Sequence, residues 1–401
     1  LGRKFGLAFA PLFVCINIRK IRGKNTQIFS LPGKYVILYL IMRLNGSHLF
    51  TLIHHRITQA IEEGVFPGCV VGIVSSRGAR AVYPFGRFTY DKHSPRVESD
   101  TIYDVASITK SIPTASLALQ LVDRGSVDID DKILLYIPEI SHSYREEIRV
   151  HHLLTHTLHF SFSLSSLKEL APREILETIY REELQSPPGS RFFYSNATSI
   201  LLGIVVERVS TQPLDTLARV RFFSPLSMHR TSFSPKDIVR KQEIVPTEFD
   251  PWRNRMVQGE VHDESAYTLS TIMKPGSAGL FSTAPDLLTF CEMLLRGGTL
   301  RGKRYFSKQM MKRISTDQLT QNTEKTGLGW ELSQPQFMGA GCSSRAFGKT
   351  GFTGCSIVCD PERHFGIVLL SNWTYPSRKQ DRKQMDQVRA SIADTVYRCG
   401  I

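Results

Sequence analysis

The sequence has no C-x-x-C pair, no His-Glu-x-x-His, no dense basic run interleaved with aromatics, and no apolar run of membrane-spanning length. Each absence removes a class of protein. Cys15, Cys69, Cys291, Cys342, Cys355, Cys359 and Cys399 stand far apart and are odd in number, so neither a disulfide framework nor a zinc spacing follows from them. They are expected as reduced, mostly buried thiols. Cys355 and Cys359 should share one face of a strand, because side chains alternate with period two. His152 and His156 lie one helical turn apart, but no third ligand follows. His151, His152, His156 and His159 are therefore read as structural, with no metal and no cofactor expected. Gly and Pro are scattered, without repeat or low-complexity tract.

Acidic residues are missing from one segment. Residues 1–41 contain no Asp or Glu, while Arg3, Lys4, Arg19, Lys20, Arg22, Lys24 and Lys34 supply seven positive charges. Removing those seven from the formal +13 leaves +6 for the other 360 residues, too little to argue for nucleic acid. The stretch FGLAFAPLFVCI behind Arg3-Lys4 has the make-up of a signal peptide, yet NIRKIRGK follows where a small-x-small cleavage site belongs. YVILYLIM is apolar but far short of the ~20 residues a membrane helix needs. Two readings of residues 1–41 stay open. One is a basic, apolar extension outside the natural protein, with Met42 as the start and a cytoplasmic location. The other is an uncleaved export signal or membrane anchor, which would make the protein exported or membrane-associated.

The remainder is rich in apolar residues and has strand and helix patterns in a definite order. With 401 residues, 41% hydrophobic and 22% charged, the chain can bury a large core, as one domain with an insertion or as two lobes. RLNGSHLFTLIHHRITQAIEEG reads as an amphipathic opening helix. GCVVGIVSS and ARAVYPFG read as strands joined at Arg77-Gly78. SITKSIPTASLALQLVDRG reads as a helix that Pro113 kinks or confines, and that Gly125 stops. TSILLGIVVERVS and APDLLTFCEMLLRGG are further helices. From Gly327, GLGWELS, CSSRAFGKTG and CSIVCDPERHFGIVLLSN read as strands with a turn at Asp360–His364, and DQVRASIADTVYRC as a closing helix. Strands at both ends with helices between predict a two-lobed α/β (α+β) fold. One sheet, built from about 66–90 and 327–372, is flanked by helices and interrupted by a helical lobe of about 107–300, within a single domain over 42–401. A ligand site is expected in the cleft between the lobes.

Three short motifs carry chemistry. VASITKS places Ser107 one helical turn before Lys110. A serine hydroxyl is a poor nucleophile until a base takes its proton. A lysine can be that base only when neutral, and burial or a second cation would lower its pKa. YSN gives Tyr194 and Asn196 after the Pro187-Pro188-Gly189 turn, and GKTGFTG gives Lys349, Thr350 and Gly351. Singly, each has an ordinary structural reading: a helix cap, a core tyrosine, an exposed strand charge. Together and in this order they match the motif set of penicillin-recognising serine enzymes.

The likeness extends through GVFPGCVVGIVSSRG, TIYDVASITK, LVDRGSVDIDDKILLYIPE, VHHLLTHT, PPGSRFFYSNATSILLGIVVE and GSAGLFSTAPDLLTFCEMLLRGG. From about Leu52 onward the chain resembles the class C β-lactamase-related family, which includes β-lactamases, D-alanyl-D-alanine carboxypeptidases among the penicillin-binding proteins, and serine esterases. The resemblance implies a β-lactamase/transpeptidase-like fold with an antiparallel sheet. It implies a serine hydrolase working through an acyl-enzyme on Ser107, with Lys110 and Tyr194 sharing the proton transfers. Asn196 would hold a substrate carbonyl or the lysine, and Lys349 and Thr350 would donate to a substrate carboxylate. Beyond Gly351, the N–H of Phe352 would join that of Ser107 in an oxyanion hole. Substrates would be esters or amides: carboxylate-bearing ones of β-lactam or D-alanyl-peptide type, or carboxylesters. The partner is then a small molecule or peptide and not nucleic acid. The alternative is a penicillin- or peptide-binding protein with little turnover. Residues 156–160 read HTLHF where family members often read HTSGL, so Leu158 and Phe160 are expected to narrow the pocket or move its wall.

Overall fold

All eight residues of strand β1 (Gly68–Ser75) are buried. A strand apolar at odd and even positions alike must be covered on both faces, and the sheet built around it is. The computed structural model describes residues 33–319, 324–379 and 381–399, with side chains from residue 48 onward. The expectations for residues 1–32 lie outside the described residues. Packing divides the chain after Leu44, and the sheet belongs to the unit Asn45–Ile401. Among the described residues no helix is long and apolar enough to cross a membrane.

The sheet also contains β2 (Arg80–Gly86), β3 (Glu331–Leu332), β4 (Phe347–Thr350), β5 (Ser356–Asp360) and β6 (Phe365–Ser371). Its order is β2-β1-β6-β5-β4-β3, every neighbouring pair antiparallel. β1 pairs with β6 from Cys69↔Ser371 to Ser75↔Phe365, so early and late segments of the chain meet in the middle of the sheet. The expected turns at Arg77-Gly78 and Asp360–His364 are both present. GLGWELS is mostly not strand. Gly329 adopts φ +75 and its N–H bonds the Leu154 carbonyl, so the chain turns there and only Glu331–Leu332 joins the ladder.

Alternation sorts β1 between two cores. Cys69, Val71 and Ile73 face Leu49, Ile53 and Ile57 of helix α1 (Gly33–Glu62) and Ile392 and Val396 of a C-terminal helix, Lys383–Cys399. Val70 and Val74, with Val368 and Leu370, face Leu287, Leu288 and Cys291 on the helix Ala284–Leu295, in a core continuous with the helical segments. That helix lies close because two strand positions carry no side chain. A Cβ on Gly72 would stand 3.0 Å from Leu288 Cδ1, and one on Gly366 would stand 2.8 Å from Cys291 Cβ. Each fully buried aliphatic side chain here contributes roughly 1.5–3 kcal/mol. Cys355 and Cys359 lie in the same core, and the six described cysteines are free thiols.

Pro113 acts as the sequence predicts. Between Lys110 and Ala115 the backbone is irregular, with Ile112 at φ −123, ψ 109, and regular helix α2 (Ser116–Asp123) starts only afterwards. Gly125, at φ +72, follows its end. The break sets the Ser107–Lys110 turn apart from α2, at the boundary between sheet and helices.

Candidate active site

Ser107 sits on a turn that the buried Asp104 holds from both sides. Asp104 ends the short strand Tyr103–Asp104, paired with Phe281–Ser282. Its Oδ1 accepts from the Ala106 N–H at 2.8 Å and its Oδ2 from the His262 N–H at 2.7 Å. Its carbonyl accepts from Thr353 Oγ1 at 2.7 Å, which ties the turn to the β4–β5 connection. Ala106 has φ 46, a left-handed conformation that costs an L-residue about 1–2 kcal/mol. Such strain persists only where the surroundings over-determine it, and these bonds do so.

Lys110 is buried, with Nζ 3.0 Å from Ser107 Oγ and 2.7 Å from the Ser277 carbonyl. Burial is the main force pulling its pKa below the ordinary lysine value. The Lys349 ammonium adds to it, while the Tyr194 hydroxyl and Asp263 pull the other way. Tyr194, just before helix α3 (Asn196–Ser210), shows its ring to the cleft but has its hydroxyl among Ser107, Lys110 and Lys349. Burial would raise the Tyr194 pKa, but the two ammonium groups and the bond with Ser107 outweigh it and the value is lowered. Lys110 Nζ lies 5.1 Å and Lys349 Nζ 4.4 Å from the Tyr194 ring centroid. His156 packs on the same ring at 5.1 Å. Burial, then the two lysines, hold it well below its ordinary pKa and hence neutral.

The other predicted site residues gather at the same place, with partners the sequence did not announce. Asn196 Nδ2 donates to Asp263 Oδ2 at 3.0 Å, so its amide is directed by a carboxylate and not by Lys110. Lys349, on β4, pairs with Glu331 on β3 at 2.5 Å. Burial works against the Lys349 charge, but Glu331 and the Tyr194 hydroxyl outweigh it and the pKa is raised. Thr350 Oγ1 faces Arg382 Nη2 at 3.4 Å. A Cβ on Gly351 would stand 2.4 Å from the Val105 carbonyl, so glycine here lets the end of β4 meet the Ser107 turn. The Gly351 carbonyl accepts from the buried Arg389 at 3.1 Å. Phe352 stacks on His262 at 5.6 Å. Among the described residues, no acceptor meets the backbone N–H of Ser107 or of Phe352.

Ser107, Tyr194, Asn196, Thr350 and Phe352 line a cavity of about 510 Å³, with Lys110 and Lys349 buried beside it. Asp263, Glu331 and Arg382 line it too. They are the residues the sequence analysis missed, because an isolated carboxylate or arginine makes no pattern. The expectation for Leu158 and Phe160 needs correction: both are buried in the core and neither lines the cavity. His156, at φ 52, ends the helix Val150–Thr155 in the left-handed region, and the two apolar side chains beyond it pack inward. Two of the other histidines have local partners. His152 Nδ1 accepts from the Arg149 N–H, and His159 Nε2 is 2.7 Å from Arg191 Nη2.

The chain is similar to known proteins in sequence and in fold. Residues 53–390 match the family model described as Beta-lactamase. A protein of Escherichia coli K12 named "Putative D-alanyl-D-alanine carboxypeptidase" is 32% identical over 309 residues, covering 69% of this chain and 70% of its own. Two solved structures share the fold. A β-lactamase/D-alanine carboxypeptidase from Pseudomonas syringae superimposes with TM-score 0.70 at 20% identity, covering 86% of this chain and 99% of its own. EstCE1, a hydrolase with promiscuous acyltransferase activity, gives TM-score 0.69 at 19% identity, covering 88% and 99%.

Proposed function

Because this chain belongs to the beta-lactamase family and is a serine hydrolase, we propose that it cleaves esters or amides through an acyl-enzyme on Ser107. The observation that carries this reading is the 3.0 Å approach of a buried, pKa-lowered Lys110 to Ser107 Oγ. Neutral Lys110 gives one N–H to the Ser277 carbonyl and turns its lone pair on the Ser107 proton. Ser107 Oγ then bonds the substrate carbonyl carbon, and the proton moves into the Lys110–Tyr194 pair. The oxyanion that forms is met by the N–H groups of Ser107 and Phe352, each worth ~3–4 kcal/mol. Collapse breaks the bond to the leaving group, which departs with the proton. Water repeats the sequence in reverse roles and frees Ser107. Tyr194 carries the proton toward the leaving group, since its hydroxyl lies near Lys110, Lys349 and Ser107.

Two substrate types suit this chemistry. A β-lactam or D-alanyl peptide brings a carboxylate toward Lys349 and Thr350; a carboxylester brings none. The test is hydrolysis of phenyl acetate by the wild type, Ser107→Ala and Lys110→Ala. Both variants should lose at least ~1,000-fold in kcat/KM, while circular dichroism shows the fold retained. Turnover by Ser107→Ala near the wild-type rate would sink the proposal.

A further inference from the structure

We propose that Glu331 is a specificity-determining residue that withdraws Lys349 from the substrate and sets the site for acyl compounds with no carboxylate at the leaving group. The inference rests on the Ser107 acyl-enzyme reading and concerns what that site will accept.

The ground is the pairing. Lys349 has a side chain only 4% exposed and spends its ammonium on Glu331 Oε1 at 2.5 Å. A charge-assisted bond of that kind, inside a cleft, is among the strong ones. A substrate carboxylate approaching Thr350 must displace Glu331 or share the ammonium with it, and two carboxylates at one cation repel each other. Glu331 is held for this role by backbone. It sits on β3, whose register places Glu331 opposite Gly348, the residue before Lys349.

The rest of the lining is mixed in charge, and Arg382 holds only a share of one carboxylate. Arg382 reaches Thr350 Oγ1, but its guanidinium lies 3.9 Å from Asp386, whose carboxylate already pairs with Arg389 at 2.6 Å. On the opposite wall the balance is negative. Asp263 has only neutral side-chain partners, Asn196 Nδ2 and Ser265 Oγ, with the Ala266 N–H. Lys349 is thus the cation beside the nucleophile that is already paired, and Asp263 across from it has no ion pair, so the part of the lining next to Ser107 suits neutral or ammonium-bearing groups better than an anion. Lys325 and Glu324, further along the same lining, have no ion pair among the described residues. Lys349 acts instead on its neighbours, where its charge lowers the pKa of Lys110 and of Tyr194.

The experiment compares phenyl acetate with 3-carboxyphenyl acetate, which differ by a carboxylate on the leaving group. The readout is the ratio of their kcat/KM values, which cancels a general loss of activity. The wild type should prefer the neutral ester. Glu331→Gln keeps the size of the side chain, removes its charge and frees Lys349. It should shift the ratio toward the carboxylated ester by about 10-fold or more, the worth of one charge-assisted contact. Glu331→Ala should shift it the same way. A ratio unchanged within about 2-fold in both variants overturns the inference, as does a wild type that prefers the carboxylated ester. A parallel measurement does not need turnover: inhibition of fluorophosphonate labelling by phenylboronic acid and by 3-carboxyphenylboronic acid should show the same shift in Glu331→Gln. Loss of Ser107 labelling in the wild type would defeat the acyl-enzyme reading and this inference with it. Labelling with an unshifted ratio would defeat the role of Glu331 alone.

Discussion

Asp104 touches no substrate position, yet its replacement should disable the site. Its carboxylate satisfies two buried backbone N–H groups, those of Ala106 and His262, and thereby holds Ala106 at φ 46 beside Ser107. In Asp104→Ala both donors lose their acceptor, at about 1–3 kcal/mol each. Against this stands the cost of keeping the carboxylate where it is. Burial is the main cause that raises the Asp104 pKa, with the two N–H bonds and His262 opposing. A raised folded pKa means that the ionised form burdens the fold at neutral pH, so removing it returns part of the loss. The net expectation for Asp104→Ala is about 2–4 kcal/mol of lost stability, and about half that for Asp104→Asn, which keeps one acceptor. Catalysis should suffer further, because a displacement of Ser107 by about 1 Å is worth ~100-fold in rate. Urea unfolding gives the first quantity and kcat/KM on phenyl acetate gives the second. Asp104→Ala within about 0.5 kcal/mol and about 3-fold of the wild type would refute the reasoning.

Two other perturbations test the electrostatics. If Lys110 must be neutral, kcat/KM for a neutral ester rises with pH to a midpoint below the ordinary lysine value of 10.5. Lys349→Ala removes a neighbouring cation, so Lys110 and Tyr194 both titrate higher and the midpoint should move up; a midpoint that stays or falls contradicts the assignment. The same variant should depress neutral and carboxylated esters alike, since Lys349 is already paired with Glu331. Away from the cavity, burial works to raise the Glu248 pKa, but bonds from His262 and Arg378 prevail and hold it at about 2. A depressed carboxylate stabilises the fold above its unfolded value of 4.5, and that contribution is lost as pH falls toward about 2. With the Arg378 side chain 39% exposed, the pair should be worth about 2 kcal/mol at neutral pH. Glu248→Gln should cost that much at pH 7 and much less near pH 2, as read by urea unfolding; an equal cost at both would count against the ion cluster.

The sheet was legible because its signals are local. The β-rich run GCVVGIVSS, two turns and the placement of strands at both ends of the chain lead to β1 paired with β6. The three motifs pointed to residues that the fold gathers at one cavity, because their spacing and order are themselves visible in a linear string. The partners of those residues were not legible. Glu331 lies 18 positions from Lys349, Asp263 lies 67 from Asn196, and His262 lies 158 from Asp104. Only the folded chain brings such pairs into contact, and no periodicity marks them. Leu158 and Phe160 were misplaced for a related reason. Their direction depends on the left-handed backbone at His156, an unusual conformation for a non-glycine residue that the sequence does not advertise. GLGWELS misled in the same way, as a β-rich composition interrupted by the Gly329 turn.

The acyl-enzyme on Ser107 is tested most directly by labelling the intact protein with a fluorophosphonate and mapping the modified peptide by mass spectrometry. The account predicts one adduct per chain, on Ser107, slowed strongly in Lys110→Ala and absent in Ser107→Ala. An adduct on any other residue, or equal labelling of Ser107→Ala, would contradict it.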